Sequence, residues 1–402
     1  MSSGGTMRGW ARRASLLGRR RHARLSSASA GSAGSAGAAV QRLRAAMDAS
    51  VVGQDDVKRA LLLGLVAKEH VYVEGPPGVA KTLLAEVSAA ATGSAVYSYQ
   101  FHRDSRLDEL VGDRVVVREP SGPGAETIRQ STVKGGILTA DICVLDDISR
   151  APGEALNVLL RLLNERRWTD GEGIPLVSAI ATANPAREDY FNEPLDPANL
   201  DRFTLQVQAS GLVHRKDWQD AARVVEAFGT FRQANGEPEP ALSEAVAELP
   251  LLHDARQQVA VPERVQRLVL SLLEELVREE GCTPSNSLLT DRTFLVKAPR
   301  ILQASALLAG RQQCTPQDLY ALSLLTTFRV PEPVQEQMEA IIQRVLAREE
   351  EEEEEEAGYA AARAIPETLA WFFVVSVRSR HGCRLWHGSL FRPVRSSQTL
   401  LT

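Results

Sequence analysis

Residues 71–82 read VYVEGPPGVAKT, and no other stretch constrains the fold as much. A short apolar run breaks at Gly75, and Lys81 and Thr82 then open a stretch with helical spacing. A strand that turns through Gly and Pro straight into a helix is the layout of a phosphate-binding loop. In that layout the candidate residues are Gly75, Pro76, Pro77, Gly78, Val79, Ala80, Lys81 and Thr82. Backbone N–H groups over residues 78–82 would cradle β- and γ-phosphates, Lys81 would neutralise them, and the Thr82 hydroxyl would hold Mg²⁺. The strict pattern asks for Gly at position 80, where this chain has Ala80. The competing reading is an ordinary Gly-Pro turn ahead of a helix.

The texture on either side predicts an α/β core followed by a helical domain. Residues 40–47 and 57–68 have helical apolar spacing, with the pair Val51-Val52 closed by Gly53 and Gln54 between them. Strand candidates follow at 70–74, 94–101, 142–145, 176–182 and 203–207, separated by helical runs at 82–92, 135–140 and 152–166. Short buried strands alternating with helices imply a parallel sheet with helices on both faces. Residues 115–117 and 127–133 are β-branched arms around a Gly/Pro-interrupted stretch and predict a hairpin-like insertion. After Gly211 strand signals end, and helices are expected at 217–231, 242–249, 262–279, 298–309, 316–328 and 334–348. Thr315-Pro316-Gln317-Asp318 is a typical helix start. The expected division is 1–47 unstructured, 48–210 α/β core, 211–330 helical lid, 331–356 an amphipathic helix with a Glu tract, and 357–402 unassigned.

Composition removes several classes of function. The chain has 402 residues, is 44% apolar and carries a net charge of −5. Residues 1–47 hold nine arginines and no acid, whereas residues 349–356 are all Glu. The body between these tracts is mildly acidic, with no basic, aromatic-laced patch, so nucleic acid is not an expected partner. Cys143, Cys282, Cys314 and Cys383 are scattered without a C-x-x-C pair, which argues against a zinc site or a disulfide frame. No apolar run is long enough to span a bilayer. The Arg- and Ser-rich, acid-free N-terminus fits an organellar transit peptide, directing the protein to a mitochondrial matrix or chloroplast stroma. The alternative is a basic tail with no address, in a cytoplasmic protein. No packed structure is expected over residues 26–39, and the Glu run is expected to be a disordered solvated tract.

A second set of residues complements the loop. Residues 142–147, ICVLDD, form an apolar strand ending in two acids. Beside a phosphate loop such a strand delivers one carboxylate to Mg²⁺ and a second to the attacking water; Asp146 fits the first role and Asp147 the second. Asn184, in ATANP, closes the next strand, where its amide could orient the nucleophile. Arg202, in LDRF, could reach a neighbouring subunit's γ-phosphate as an arginine finger. The competing readings are a turn at Asn184-Pro185 and a surface ion pair between Arg202 and Asp201. His102, beside Arg103 and Asp104, reads as a solvated histidine at a strand end.

Val52-Gly53-Gln54, GPPGVAKT, LDDISRAP, ATANP, LDRF and KAPRILQASALLAGRQQCTPQDL occur here in the order found in the AAA+ ATPases. Over residues 40–330 the chain resembles the MoxR group. Thr290-Asp291-Arg292 followed by PRILQASA resembles its RavA-like branch, and the magnesium-chelatase small subunit is a near relative. Ala80 is normal in that group. The resemblance implies rings, usually of six, with ATP and Mg²⁺ held between neighbours. It makes residues 75–82 the Walker A loop, Asp146 and Asp147 Walker B, Asn184 sensor 1, Arg202 the finger given in trans, and Arg300 sensor 2. Val52 and Gln54 would lie against the adenine, and Arg150 is a second candidate for a cross-subunit contact. Von Willebrand A domain proteins are the expected partners, and ATP-driven remodelling or assisted metal insertion the expected work. One departure stands out: the family's second Walker B acid is Glu, and here it is Asp147. A carboxylate drawn back by about 1 Å can lower a rate about 10²-fold, so tight binding with slow hydrolysis is expected. An assembly scaffold gated by ATP with negligible turnover, or a ring subunit like that of magnesium chelatase, is the alternative.

Overall fold

The computed structural model describes residues 32–122, 125–168, 171–185, 195–212, 217–233 and 249–363. Its centre is β1 (Val71–Glu74), in which Val71 and Val73 face one apolar core and Tyr72 the other. The same alternation runs through β5 (Ile142–Asp146), where Ile142 and Val144 share a core with Val71, and Cys143 and Leu145 with Tyr72. Side chains two apart on a pleated strand share a face, so a strand apolar at every position is buried on both sides. β2 (Val96–Gln100), β6 (Ser178–Ala183) and β7 (Leu205–Gln208) complete a sheet of order β2-β5-β6-β1-β7, parallel throughout. Val71 pairs in register with Ile180 on one side and Leu205 on the other, so these three strands end together. β3 (Arg114–Gly122) and β4 (Ala125–Thr132) form the separate antiparallel pair that the β-branched arms predicted. The fold is a five-stranded parallel α/β sheet followed by a helical region.

The helices are α1 (Ser32–Ser50), α2 (Asp55–Ala67), α3 (Lys81–Ala91), α4 (Leu107–Val111), α5 (Gly153–Glu165) and α6 (Pro197–Leu200) in the α/β part. The helical part holds α7 (Trp218–Gln233), α8 (Leu249–Gln257), α9 (Glu263–Arg278), α10 (Asp291–Leu308), α11 (Ser323–Thr326), α12 (Glu332–Glu336) and α13 (Met338–Arg363). α4 and α5 cover the Tyr72 face; α1, α2 and α3 cover the Val71 face. α8, α9 and α10 extend that second core, so helical region and sheet share one continuous apolar interior. Residues up to Ala347 make one compact unit; of the second unit, from Arg348, the described residues 348–363 are helical.

Four expectations are corrected. Residues 32–39 are helical rather than unstructured: α1 begins at Ser32 and buries Ala36, Ala39, Val40, Leu43 and Met47. The Glu run is helix, within α13, rather than a disordered tract. The short helix at 135–140 is a single 3₁₀ turn, Gly136–Leu138. α10 starts at Asp291 and carries Pro299 inside it, instead of beginning beside that proline. The expected helix at 242–249 falls mostly outside the described residues, as do residues 1–31, 364–402 and Cys383; the other three cysteines are buried free thiols.

Candidate functional site

The loop after β1 is shaped by two close constraints. A Cβ on Gly75 would lie 2.4 Å from the Ala209 carbonyl oxygen, so only glycine lets the loop leave the sheet beside β7. Gly78 and Ala80 both take left-handed backbone, φ 85° and 65°, and nothing stands within 4 Å of the space a Cβ on Gly78 would occupy. Ala80 lends no side-chain cap to α3, which leaves the N–H groups of its first turn turned toward the loop's concavity. Open N–H groups at a helix N-terminus beside a left-handed turn make an anion cradle.

Lys81 is 8% exposed and uses its three N–H donors inward. It donates to the carbonyls of Gly75 at 2.7 Å and Pro76 at 2.8 Å, and to Asn184 Oδ1 at 3.1 Å. Burial lowers its pKa, against the opposing pull of Asp147, Asp146 and Glu74. Glu74, at the end of β1, is shifted the other way by burial, with the Tyr72 hydroxyl and Lys81 favouring its charged form. An anionic ligand would supply the compensation that Lys81 now draws from carbonyl dipoles.

Asn184 carries the network on, donating from Nδ2 to Asp147 Oδ1 at 3.0 Å. Asp147 sits at φ 52° directly after β5, a left-handed position that Asp tolerates better than most residues. Arg150 lies 3.7 Å from its other carboxylate oxygen. Asp146 Oδ1 accepts from the Thr82 hydroxyl at 2.7 Å and from the Thr182 hydroxyl, while Thr182 Oγ1 also accepts the Asp147 N–H at 3.3 Å. A carboxylate and a helix-start hydroxyl this close are hard oxygen donors suited to Mg²⁺, which takes few protein ligands and completes its shell with water and phosphate. Among the described residues no group of three or more His, Cys, Asp or Glu could hold a metal by itself. The residues therefore fit a magnesium ion that arrives with its phosphate.

Most of the expected residues meet at one edge of the sheet. Lys81, Thr82, Asp146, Asp147 and Asn184 converge at the C-terminal ends of β1, β5 and β6, where ligands bind in open α/β sheets. Gln54 joins them indirectly. It takes φ 59°, is buried, and donates to the Ser210 carbonyl at 2.8 Å, next to the Ala209 that abuts Gly75. Val52 is half-buried two residues before it.

Two arginines stand elsewhere. Arg300 is corrected: it ion-pairs with Glu69 at 3.1 Å, before the start of β1, so it does not join this chain's phosphate loop. At about 3.3 Å per extended residue, Glu69 is roughly 20 Å from Gly75, beyond any arginine's reach. Arg202 also lies at the N-terminal edge of the sheet, exposed, three residues before β7. Asp201 pairs with Arg329 at 3.1 Å rather than with Arg202. His102 is exposed, as expected.

The sequence reading missed Thr182, Glu69 and Arg329. Thr182 could have been found by counting two residues back from Asn184 along a strand, which puts both on one face. Glu69 is 1% exposed and holds Lys297 at 2.6 Å and Thr204 at 2.7 Å as well as Arg300; nothing local marks it.

Comparisons with known proteins agree with this architecture. Residues 70–203 match the AAA domain family of the dynein-related subfamily. Over 161 residues the chain is 33% identical to the chaperone MoxR1 of Mycobacterium tuberculosis, a match covering 39% of this chain and 40% of that protein. Protein MoxR of Methylorubrum extorquens is 24% identical over 335 residues, 77% of this chain and 93% of its own length. YeaC of Bacillus subtilis is 25% identical over 319 residues, covering 77% and 92%. A crystal structure of a proposed ATPase from Cytophaga hutchinsonii superposes with a TM-score of 0.57 at 19% identity, over 79% of this chain and 96% of that one, and bears on the fold alone. Residues 70–203 thus match an AAA domain, and over its length the chain is similar to proteins of the MoxR group of AAA+ ATPases.

Proposed function

We propose that the protein binds ATP with Mg²⁺ at the loop of residues 75–82 and couples its hydrolysis to the remodelling of a partner protein. The observation that carries this is the chain of contacts Lys81–Asn184–Asp147, beside the pair Thr82–Asp146 on the same sheet edge. It gathers a phosphate-neutralising cation, a magnesium pair, a water-polarising carboxylate and an amide to orient the water. In the free protein Lys81 is held by two carbonyls and Asn184; a γ-phosphate offers it a stronger, charge-assisted acceptor and releases Asn184 toward the water. Val52 and Gln54 line the adenine side. The finger Arg202 completes the site of a neighbouring copy in a ring, on the hexameric pattern. The RavA-like branch and a von Willebrand A domain partner are what the resemblance implies, an organellar address is what the composition of residues 1–47 fits, and the name chaperone carried by MoxR1 supports the remodelling role.

One observation favours a second reading. Asp147 is a short carboxylate already bonded to Asn184, so ATP could drive assembly while turnover stays negligible. Titration of the full chain with a fluorescent ATP analogue and Mg²⁺ tests the shared premise. Saturable binding is expected, lost in Lys81→Ala; binding that survives Lys81→Ala unchanged refutes the site. Phosphate release then separates remodelling ATPase from scaffold.

A further inference from the structure

Arg329 lies in the short stretch between α11 and α12, outside every motif quoted above, and is 6% exposed. Its guanidinium has five N–H donors, and five contacts take them up. Nε donates to Asp201 Oδ1 at 3.1 Å; Nη1 to the carbonyls of Thr204 at 3.0 Å and Leu325 at 2.6 Å; Nη2 to the carbonyls of Asp201 at 3.3 Å and Phe203 at 2.9 Å. Four of the five go to the segment 201–204, on both sides of Arg202, and the fifth ties the same guanidinium to α11. Burying an arginine among carbonyls is costly unless each donor is met, and here each is.

Three further observations single out this segment. Phe328, next to Arg329, takes φ 57°, a backbone that a bulky side chain adopts only where its surroundings impose it. That turn sends Phe328 against Tyr72 of β1, ring centroids 6.0 Å apart, and Arg329 against the segment before β7. Gln206 donates to the Leu200 carbonyl at 2.9 Å and the Phe203 carbonyl at 3.1 Å. Thr204 is tied through Glu69 to Lys297 of α10. The backbone around Arg202 is thus fixed from the sheet and from the helical region at once, while the Arg202 side chain itself projects into solvent.

We propose that Arg329 is a positioning residue: through it the helical region fixes the backbone on either side of Arg202 and sets that arginine's reach into a neighbouring copy's nucleotide site. This rests on Arg202 acting across the subunit boundary. Arg329 touches no nucleotide; it holds carbonyls whose neighbour does. A catalytic group displaced by about 1 Å loses about 10²-fold in rate, so small slack in this clamp should register. Because the clamp joins segment 201–204 to α11, a shift of the helical region relative to the sheet would be felt at the finger.

Subunit mixing tests this with the full-length chain. Arg202→Ala subunits keep an intact nucleotide site and lack a finger; Lys81→Ala subunits keep the finger and lack the site. Their mixture should hydrolyse ATP where neither does alone. Arg329→Lys, which keeps the charge and loses the fork, is placed in turn on each member. On the finger-donating Lys81→Ala subunit it should lower the recovered turnover by about tenfold to a hundredfold. On the Arg202→Ala subunit it should leave the recovered turnover unchanged. Equal loss in both positions, or no loss in either, overturns the proposal. If Arg329→Lys fails to fold, Asp201→Asn, which removes only the carboxylate partner, takes its place with the same expectations. Failure of the underlying reading looks different: Arg202→Ala alone stays active, or the unmodified mixture recovers nothing.

Discussion

Asp147 illustrates how one residue can be chosen for its backbone and constrained in its chemistry. At φ 52° and ψ 44° it occupies a region that Asp and Asn visit more readily than Glu. Its carboxylate is also the acceptor for Asn184 and lies 3.7 Å from Arg150. Asp147→Glu would restore the missing methylene and push the carboxylate toward the water that a γ-phosphate would present. The expected result is faster steady-state turnover with unchanged nucleotide affinity, at a small loss of thermal stability from the left-handed backbone. Turnover no greater than wild type would mean that side-chain length at this position does not limit the rate. Asp146 and Asp147 were legible from the strand because two acids at the end of an apolar run have few other uses beside a phosphate loop. Arg300 was not, because the motif gives a residue its type and not which end of β1 it meets; the buried Glu69 captures it at the far end.

Among the elements, α1 departs most from its sequence appearance. Its buried side chains fall at 36, 39, 40, 43 and 47, the spacing of one helical face, and each is at most 2% exposed. Two of the five are alanines within a Ser/Gly/Ala-rich stretch, which carries little periodic signal. The burial comes from what α1 packs against, α3 and α8, and no local rule reports that. β1 and β5, by contrast, were visible because doubly buried strands leave nearly unbroken apolar runs. The Arg329 segment was hidden, since its geometry is set by tertiary hydrogen bonds. Leu43→Ala should destabilise the protein by about 2–5 kcal/mol, the range for truncating a buried leucine. Removal of residues 1–47 should cost more, since it strips the whole stripe from the core. Denaturant midpoints for the two variants check this; a chain starting at residue 48 that unfolds like the full-length protein would show that α1 adds nothing to the core. Any processing of the basic N-terminus that leaves the fold intact must accordingly cut before this helix.

The whole molecule carries an acid sensitivity that follows from two buried histidines. His70, at the head of β1, has Nδ1 accepting the Ala179 N–H at 2.9 Å, so the neutral ring places its proton on Nε2, 2.9 Å from the Leu163 carbonyl. His253 of α8 sits 2.9 Å from the Leu65 carbonyl in α2, joining the helical region to the sheet layer. Burial, the largest influence on each, holds both pKa values down from 6.5 to about 4. Arg166 and Lys297 add to this at His70 against Glu69, and Lys68 and Arg256 add at His253 against Asp254. Between pH 6.5 and 4 the unfolded chain binds protons that the native state does not, so stability is fully present above 6.5 and falls as the pH drops toward 4. Each histidine can remove roughly 3 kcal/mol across that window, comparable to a third of a typical domain's stability. Carboxylates contribute below that range: Glu69 and Asp318, both depressed on balance although burial alone would raise them, lose their stabilisation only as they protonate. Urea midpoints at pH 7.5 and pH 5 should therefore differ strongly in the wild type and less in His253→Gln, whose amide can still donate to Leu65. A midpoint flat across that interval would mean that these imidazoles charge without leaving their sites. Because His253 bridges α8 and α2, partial protonation should loosen the contact between helical region and sheet before the sheet itself opens. Helix amides of α8 would then exchange with solvent at a pH where those of β1 and β6 remain protected.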